Sequence, residues 1–298
     1  MATRLLVLGA RGQLARALAD ASAPFTITAW SRDQLNLNDL GAIGPAIETF
    51  RPDAVINAAA YNAVDAAETD SEGAFRINRD APAHAAQACA RLGIPFVHVS
   101  TDFVFDGTKG APYAETDAPR PLNVYGASKA AGEQAVEEAG ARSAIVRTSW
   151  VHSAHGSNFV RTMLHLAETN ETVRVVGDQI GSPTWAFDLT SAVLKLTEGL
   201  LQRDPGAEGV FHYCNAGGVS RADFAAADIA GAARRGLRTH ARVVAITTAE
   251  WPAPAARPHD SRLDCARYAF WAGAAPPPWE ASLERCLDEM FAPQAAQP

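Results

Sequence analysis

The chain has 298 residues, 48% of them hydrophobic and 20% charged, a composition that fits a folded globular protein and excludes disorder and collagen. Lys and Arg number 26 against 33 Asp and Glu, for a formal charge of −7, and the basic spots at Arg234, Arg235 and Arg238 are too small to serve a nucleic-acid partner. No apolar run approaches the ~18 residues of a membrane span, and the short run at residues 5–9 lacks the features of a signal peptide, so a cytoplasmic protein is expected.

The continuous apolar run 4–8 predicts a first strand buried on both faces, and 13–21 a helix after it. Residues 26–30 predict a second strand, 41–50 a helix and 54–57 a third strand. An Ala-rich stretch over 71–92 predicts one long helix, stopped by Gly93 and Pro95. A fourth strand is expected at 95–99, a loop at 106–121, a helix at 124–139 and a fifth strand at 143–147. This alternation indicates an α/β fold, a Rossmann-like doubly wound parallel sheet.

After residue 150 the rhythm weakens. Helices are expected at 158–168, 186–200 and 221–235, with strands at 173–176 and 210–214. The three prolines of 251–258 predict a loop, and 279–291 a closing helix that Pro293 stops. Residues 1–150 thus read as a dinucleotide-binding domain, and 151–298 as a smaller α/β substrate lobe partly interleaved with it. Cys89, Cys214, Cys265 and Cys286 are scattered, and reduced thiols are expected.

The first strand runs into Gly9-Ala10-Arg11-Gly12-Gln13-Leu14-Ala15. Gly9 permits a tight turn, Gly12 a close approach to a pyrophosphate, and Ala15 close packing of helix on strand. A carboxylate at the end of the second strand would favour NAD; this strand ends in Ser31 and Arg32, which suit a 2′-phosphate. NADPH is therefore expected over NADH. The bland reading is that Asp33 pairs with Arg32.

Tyr125-Gly126-Ala127-Ser128-Lys129 places Tyr125 and Lys129 four residues apart, on one face of a helix. Lys129 is expected to lower the phenol's pKa, so that Tyr125 donates a proton to a carbonyl oxygen as hydride reaches the carbon. Thr101, where the fourth strand gives out, is positioned to bind the same oxygen.

With these segments the chain resembles the dTDP-4-dehydrorhamnose reductases, a group of the extended short-chain dehydrogenase/reductases. The resemblance rests also on Asn57-Ala58-Ala59-Ala60-Tyr61, on Ser100-Thr101-Asp102-Phe103-Val104-Phe105-Asp106-Gly107 and on Pro121-Leu122-Asn123-Val124 before Tyr125. Later pieces are Arg147-Thr148-Ser149-Trp150-Val151, Gly156-Ser157-Asn158-Phe159, Asp178-Gln179-Ile180-Gly181-Ser182-Pro183-Thr184, and Arg257-Pro258 with Ser261 and Leu263.

The resemblance implies reduction of the 4-keto group of dTDP-4-dehydro-6-deoxy-L-mannose to dTDP-L-rhamnose. It implies that Gly9, Gly12, Gln13 and Leu14 line the pyrophosphate and that Asn36 and Leu37 sit near the adenine. Ala58, Ala59, Ala60 and Tyr61 fall near the ribose and nicotinamide. Tyr125 becomes the proton donor, and Lys129 holds the nicotinamide ribose. Thr101, Asp102, Trp150, Asn158 and Arg257 meet the substrate, Arg257 at the diphosphate.

The sequence departs from that pattern at Asn36, where Asp is usual, and at Asn62 and Ala66, which stand for Thr and Lys. Phe187 replaces a glutamate through which some relatives share magnesium, so no metal is expected, and the protein is taken as a monomer or weak homodimer. Phe103 fills the position of a dehydratase's glutamate, which removes the base for elimination. The alternatives are a reductase or epimerase acting on another nucleotide 4-keto-6-deoxy sugar, and a non-catalytic NADP-binding regulatory subunit.

Four further features carry blander expectations. His152 and His155 read as a loop pair near the substrate mouth rather than zinc ligands. Glu280, Glu284, Asp288 and Glu289 read as a solvated helix face. Trp251, Trp271 and Trp279 read as packing residues. Asn78 is a candidate to face the active site through water.

Overall fold

In β1 (Thr3–Leu8) Leu5 and Val7 point to one face of the sheet and Leu6 and Leu8 to the other, and all four are buried. This computed structural model describes residues 2–21 and 24–292, so the expected stop at Pro293 lies outside the described residues. β1 is an inner strand, between β3 and the edge strand β2, of a six-stranded sheet with β2 (Phe25–Trp30), β3 (Ala54–Asn57), β4 (Phe96–Thr101) and β5 (Ser143–Thr148). The sixth strand comes from the second half of the chain. Between it and β5 lie the short strands β6 (Val151–His152), β8 (Ile180–Gly181) and β9 (Thr184–Trp185), and the longer β7 (Thr172–Val176). The sixth strand itself is β10 (Gly209–His212), and the sheet order is β10-β5-β4-β3-β1-β2, every pair parallel.

Helices cover both faces, as a doubly wound sheet requires. On the Leu5 and Val7 face α1 (Gln13–Ala19) packs with a helix from beyond residue 150. On the other face α2 (Leu40–Phe50) packs with the helical stretch that follows β3. That stretch holds α3 (Val64–Ala67), α4 (Ser71–Phe75) and α5 (Ala81–Leu92), then α6 (Val124–Glu138) after β4.

The helix expected over 71–92 is not uniform. Between α4 and α5, residues Arg76–Asp80 form a π-turn. Pro82, near the start of α5, has no N–H to give the Asn78 carbonyl four residues back, so the helix widens there. The freed Asn78 carbonyl meets Gly132 of α6, where a Cβ would lie only 2.0 Å from it.

The remaining elements are α7 (Phe159–Thr169), α8 (Ala186–Leu201), β11 (Val219–Ser220), α9 (Arg221–Arg234), β12 (Arg242–Ile246), α10 (Ala266–Ala272) and α11 (Trp279–Phe291). α8 is the helix that packs with α1. The sequence reading contained neither β12, which pairs in parallel with β7, nor α10. α7, α9, α11 and β7 share a second apolar core around Phe224, forming a lobe over the carboxyl edge of the sheet. The four cysteines are free thiols.

Candidate active site

At the end of β1 the backbone turns through Gly9, whose φ is +99° and whose Cβ would lie 2.8 Å from Ala59 Cα and N. Only glycine fits that turn. The N–H groups of Gly9 and Ala10 both donate to Trp30 O, which ties the turn to the end of β2. Beside it opens a cleft of about 480 Å³ lined by Ser31, Arg32, Asn36, Leu37 and Tyr61. Asp33 pairs with Arg11 (2.7 Å) and not with Arg32, which makes no ion pair among the described residues. The bland reading of Arg32 is therefore overturned.

Gly12, Gln13, Leu14 and Ala58 line a second cleft of about 880 Å³, and Ala59 and Ala60 line both. The floor of this larger cleft is the carboxyl edge of the sheet. β4 runs two residues past the expected Val99, because Ser100 and Thr101 stay in register with Arg147 and Thr148 of β5. Thr101 Oγ1 donates to Asp102 Oδ1 (3.1 Å), and Ser261 Oγ donates to Asp102 Oδ2. Burial pushes the Asp102 carboxyl up to about 6, against those hydrogen bonds.

α6 is seated on this edge by its own sequence. Asn123 caps it, Oδ1 accepting from the Gly126 N–H (2.8 Å). A Cβ at Gly126 would lie 2.1 Å from Phe103 O, so the helix start rests directly on backbone. Tyr125 and Lys129 thereby reach the cleft together. Lys129 Nζ donates to Val99 O (2.6 Å), and no hydrogen bond joins it to Tyr125 among the described residues. Burial pushes the Lys129 ammonium down to about 8, and Glu133 one turn on opposes this. Burial likewise pushes the Tyr125 phenol up to about 12 despite hydrogen bonding to Thr101. The lowering of the phenol expected from Lys129 is not seen: desolvation dominates the phenol, and the lysine donates to a strand carbonyl.

The roof belongs to the lobe. Trp150 sits at φ +46°, strained for an aromatic residue, with its indole where a Gly181 side chain would otherwise stand, 2.4 Å from the position of a Cβ. The Arg221 guanidinium lies 4.0 Å over that indole. Arg174 and Arg257 line the same cleft, Arg257 paired with Asp65 (2.8 Å). Among the described residues four cations and one carboxylate, Asp102, line it, although the chain as a whole is acidic.

A model of the family described as RmlD substrate binding domain matches residues 3–292. The chain is 41% identical to a dTDP-4-dehydrorhamnose reductase of Sinorhizobium fredii, over 95% of this chain and 96% of that one.

The chain belongs to the dTDP-4-dehydrorhamnose reductase family.

Membership makes it an oxidoreductase. The reductase of Escherichia coli is 36% identical over 96% of this chain and 98% of its own. The Bacillus anthracis reductase, solved in complex with NADP, superposes with a TM-score of 0.90 at 35% identity, covering 97% of this chain and 100% of that one. A Thermus thermophilus UDP-glucose 4-epimerase (TM-score 0.81, 18% identity, 98% of this chain and all of that one) shares the fold.

Most residues singled out in this reductase line the two clefts; Asn158 is an exception. It caps α7, Oδ1 accepting from the Arg161 N–H (3.1 Å) and Nδ2 donating to Ser153 O (2.8 Å), so its amide is consumed by the backbone. Asn78 is likewise saturated: Oδ1 accepts from Tyr61 N–H, and Nδ2 donates to Tyr61 O and Ser128 Oγ. It braces the cleft wall and does not face the cavity.

Trp251 reverses its expectation, being 58% exposed on the cleft rim, whereas Trp279 and Trp271 do pack. His152 is buried in β6, and only His155 is exposed, beside Glu289 (3.2 Å). The acidic face of α11 is also not merely solvated: Glu284 and Asp288 pair with Arg234 and Arg235 of α9. Arg221 was missed. The available signal was a cation in the first turn of a helix, where the dipole disfavours one.

Proposed function

We propose that this chain reduces the 4-keto group of dTDP-4-dehydro-6-deoxy-L-mannose to dTDP-L-rhamnose, using NADPH. The observation that carries the reading is the convergence of Thr101, Tyr125 and Lys129 on a cleft continuous with the Gly9 turn. The relatives named as dTDP-4-dehydrorhamnose reductases, and the Bacillus anthracis complex with NADP, support the substrate and the cofactor.

The residues present fit a dinucleotide. Gly9 keeps the turn free of side chains, Gly12, Gln13 and Leu14 line the cleft at the start of α1, and Arg32 offers a guanidinium with no ion-pair partner among the described residues. Arg32 and Ser31 would hold a 2′-phosphate, Asn36 and Leu37 the adenine side, and Ala58, Ala59, Ala60 and Tyr61 the ribose side. When bound, the reduced nicotinamide supplies hydride. Tyr125 holds its proton at any working pH and delivers it to the oxygen of the reacting carbonyl. Thr101 turns its hydroxyl from Asp102 to that oxygen, and Lys129 holds the nicotinamide ribose. Asp102, Trp150 and Arg257 meet the sugar and its diphosphate. Residues 1–150 carry the cofactor and 151–298 the substrate, with α8 and β10 interleaved into the first part.

The test is loss of absorbance at the reduced-nicotinamide band, with the keto-sugar made in place by a 4,6-dehydratase and a 3,5-epimerase. A loss that requires both this protein and the epimerase is expected. No loss with protein that binds NADPH overturns the substrate assignment.

A further inference from the structure

Four cations line the larger cleft, and three of them already have acceptors. Lys129 donates to Val99 O (2.6 Å), Arg174 lies 3.5 Å from Glu250, and Arg257 is paired with Asp65. Arg221 differs. Its backbone N–H donates to Gln179 O, which fixes the start of α9 against the cleft wall. Its guanidinium is stacked 4.0 Å from the Trp150 ring centroid and 5.4 Å from that of Phe159. A cation–π contact holds the group while using none of its five N–H donors. Among the described residues that guanidinium has no hydrogen-bond acceptor and no ion pair.

A half-buried guanidinium with unmade hydrogen bonds is a ready partner for a ligand oxyanion. The neighbourhood says where that oxyanion lies. Arg221 lines the same cleft as Thr101, Tyr125 and Asp102 at the reacting centre and as Arg257, and the charges of Asp102 and Arg257 both reach it. In a nucleoside-diphosphate sugar the group between the reacting sugar and the nucleoside is the diphosphate. A planar fork over an indole, with its N–H donors unused, suits two phosphate oxygens at once.

Resting on the reductase reading above, we propose that Arg221 anchors the substrate's diphosphate and is a specificity-determining residue for nucleotide-linked sugars. Arg257 is paired with Asp65, whereas Arg221 has no such partner among the described residues.

The test uses Arg221→Gln and Arg221→Lys in the full chain, with calorimetric binding of thymidine 5′-diphosphate, uridine 5′-diphosphate, thymidine and NADPH. In Arg221→Gln the dissociation constant for the diphosphate and the KM for the keto-sugar nucleotide rise about ten- to a hundredfold, as for hydrogen bonds between charged groups. Binding of thymidine and of NADPH, and kcat within about threefold, stay as in the parent; a merely structural arginine would move all of them. Parent-like diphosphate affinity in Arg221→Gln overturns the proposal. If that variant fails to bind NADPH, Arg221→Lys decides: weakened diphosphate binding supports the bidentate anchor, and full affinity overturns it. A parent protein that takes only uridine diphosphate, and loses it in Arg221→Gln, upholds the anchor while the thymidine reading fails.

Discussion

On the floor of the cleft Thr101, Tyr125 and Lys129 come from one strand and the helix that follows it, fitted together where Gly126 and Gly132 rest on carbonyl oxygens. On the roof Trp150, Arg221 and the pair Trp251 and Arg257 come from three separate segments, held by ring stacking and a part-exposed ion pair. A floor that meets backbone with no side chain between cannot shift without unseating the helix, and it suits a proton transfer that tolerates little displacement. A roof built from loops and helix starts can change residue by residue, and it suits the choice of substrate.

The comparison breaks most readily at Tyr125. Tyr125→Phe is expected to cut kcat by ~10²–10⁴-fold, the span for losing a general acid, with NADPH affinity retained. Full turnover in that variant would remove the chemistry from the floor. Arg32→Gln, at the cofactor end of the same sheet edge, should lower the preference for NADPH over NADH by about ten- to a hundredfold, read as the ratio of kcat/KM values.

On the roof side, Asp228 lies on the buried face of α9 with neither carboxyl oxygen partnered among the described residues, and burial pushes it up to about 8. The folded chain therefore holds a proton that the unfolded chain releases above about pH 4, and this group's contribution makes stability fall as pH rises from there to about 8. Asp228→Asn should raise stability at pH 9 by about 1–3 kcal/mol and change it little at pH 4, measured by urea unfolding. An equal effect at both pH values would exclude the titration. Smallest is Trp251→Ala at the exposed rim: KM for the keto-sugar nucleotide rises roughly two- to tenfold with kcat unchanged, the scale of one aromatic contact. A fall in kcat instead would blur the division between floor and roof.

The floor was legible in the sequence because its chemistry is local. The Gly9 turn follows an apolar strand, and i,i+4 spacing on a helix aims Tyr125 and Lys129 the same way. What escaped depends on neighbours far along the chain. Arg221 matters through having no acceptor, and Trp251 through being uncovered, neither of which spacing encodes. The direction of the phenol's shift is set by burial, a property of the fold that i,i+4 spacing does not encode. Asn158 was readable as a cap, since an asparagine before an apolar helical run is the ordinary N-cap signal. Pro82 likewise signalled the break in the long helix.

One feature of the sheet bears on how the protein is made. Its outer strand β10 and the helix α8 that covers α1 are both encoded after residue 185. Until they leave the ribosome, the emerging chain carries β5 as an open strand edge and an uncovered apolar face on α1. Both are surfaces on which nascent chains associate wrongly, and chaperone demand should peak in that interval and fall once His212 has emerged.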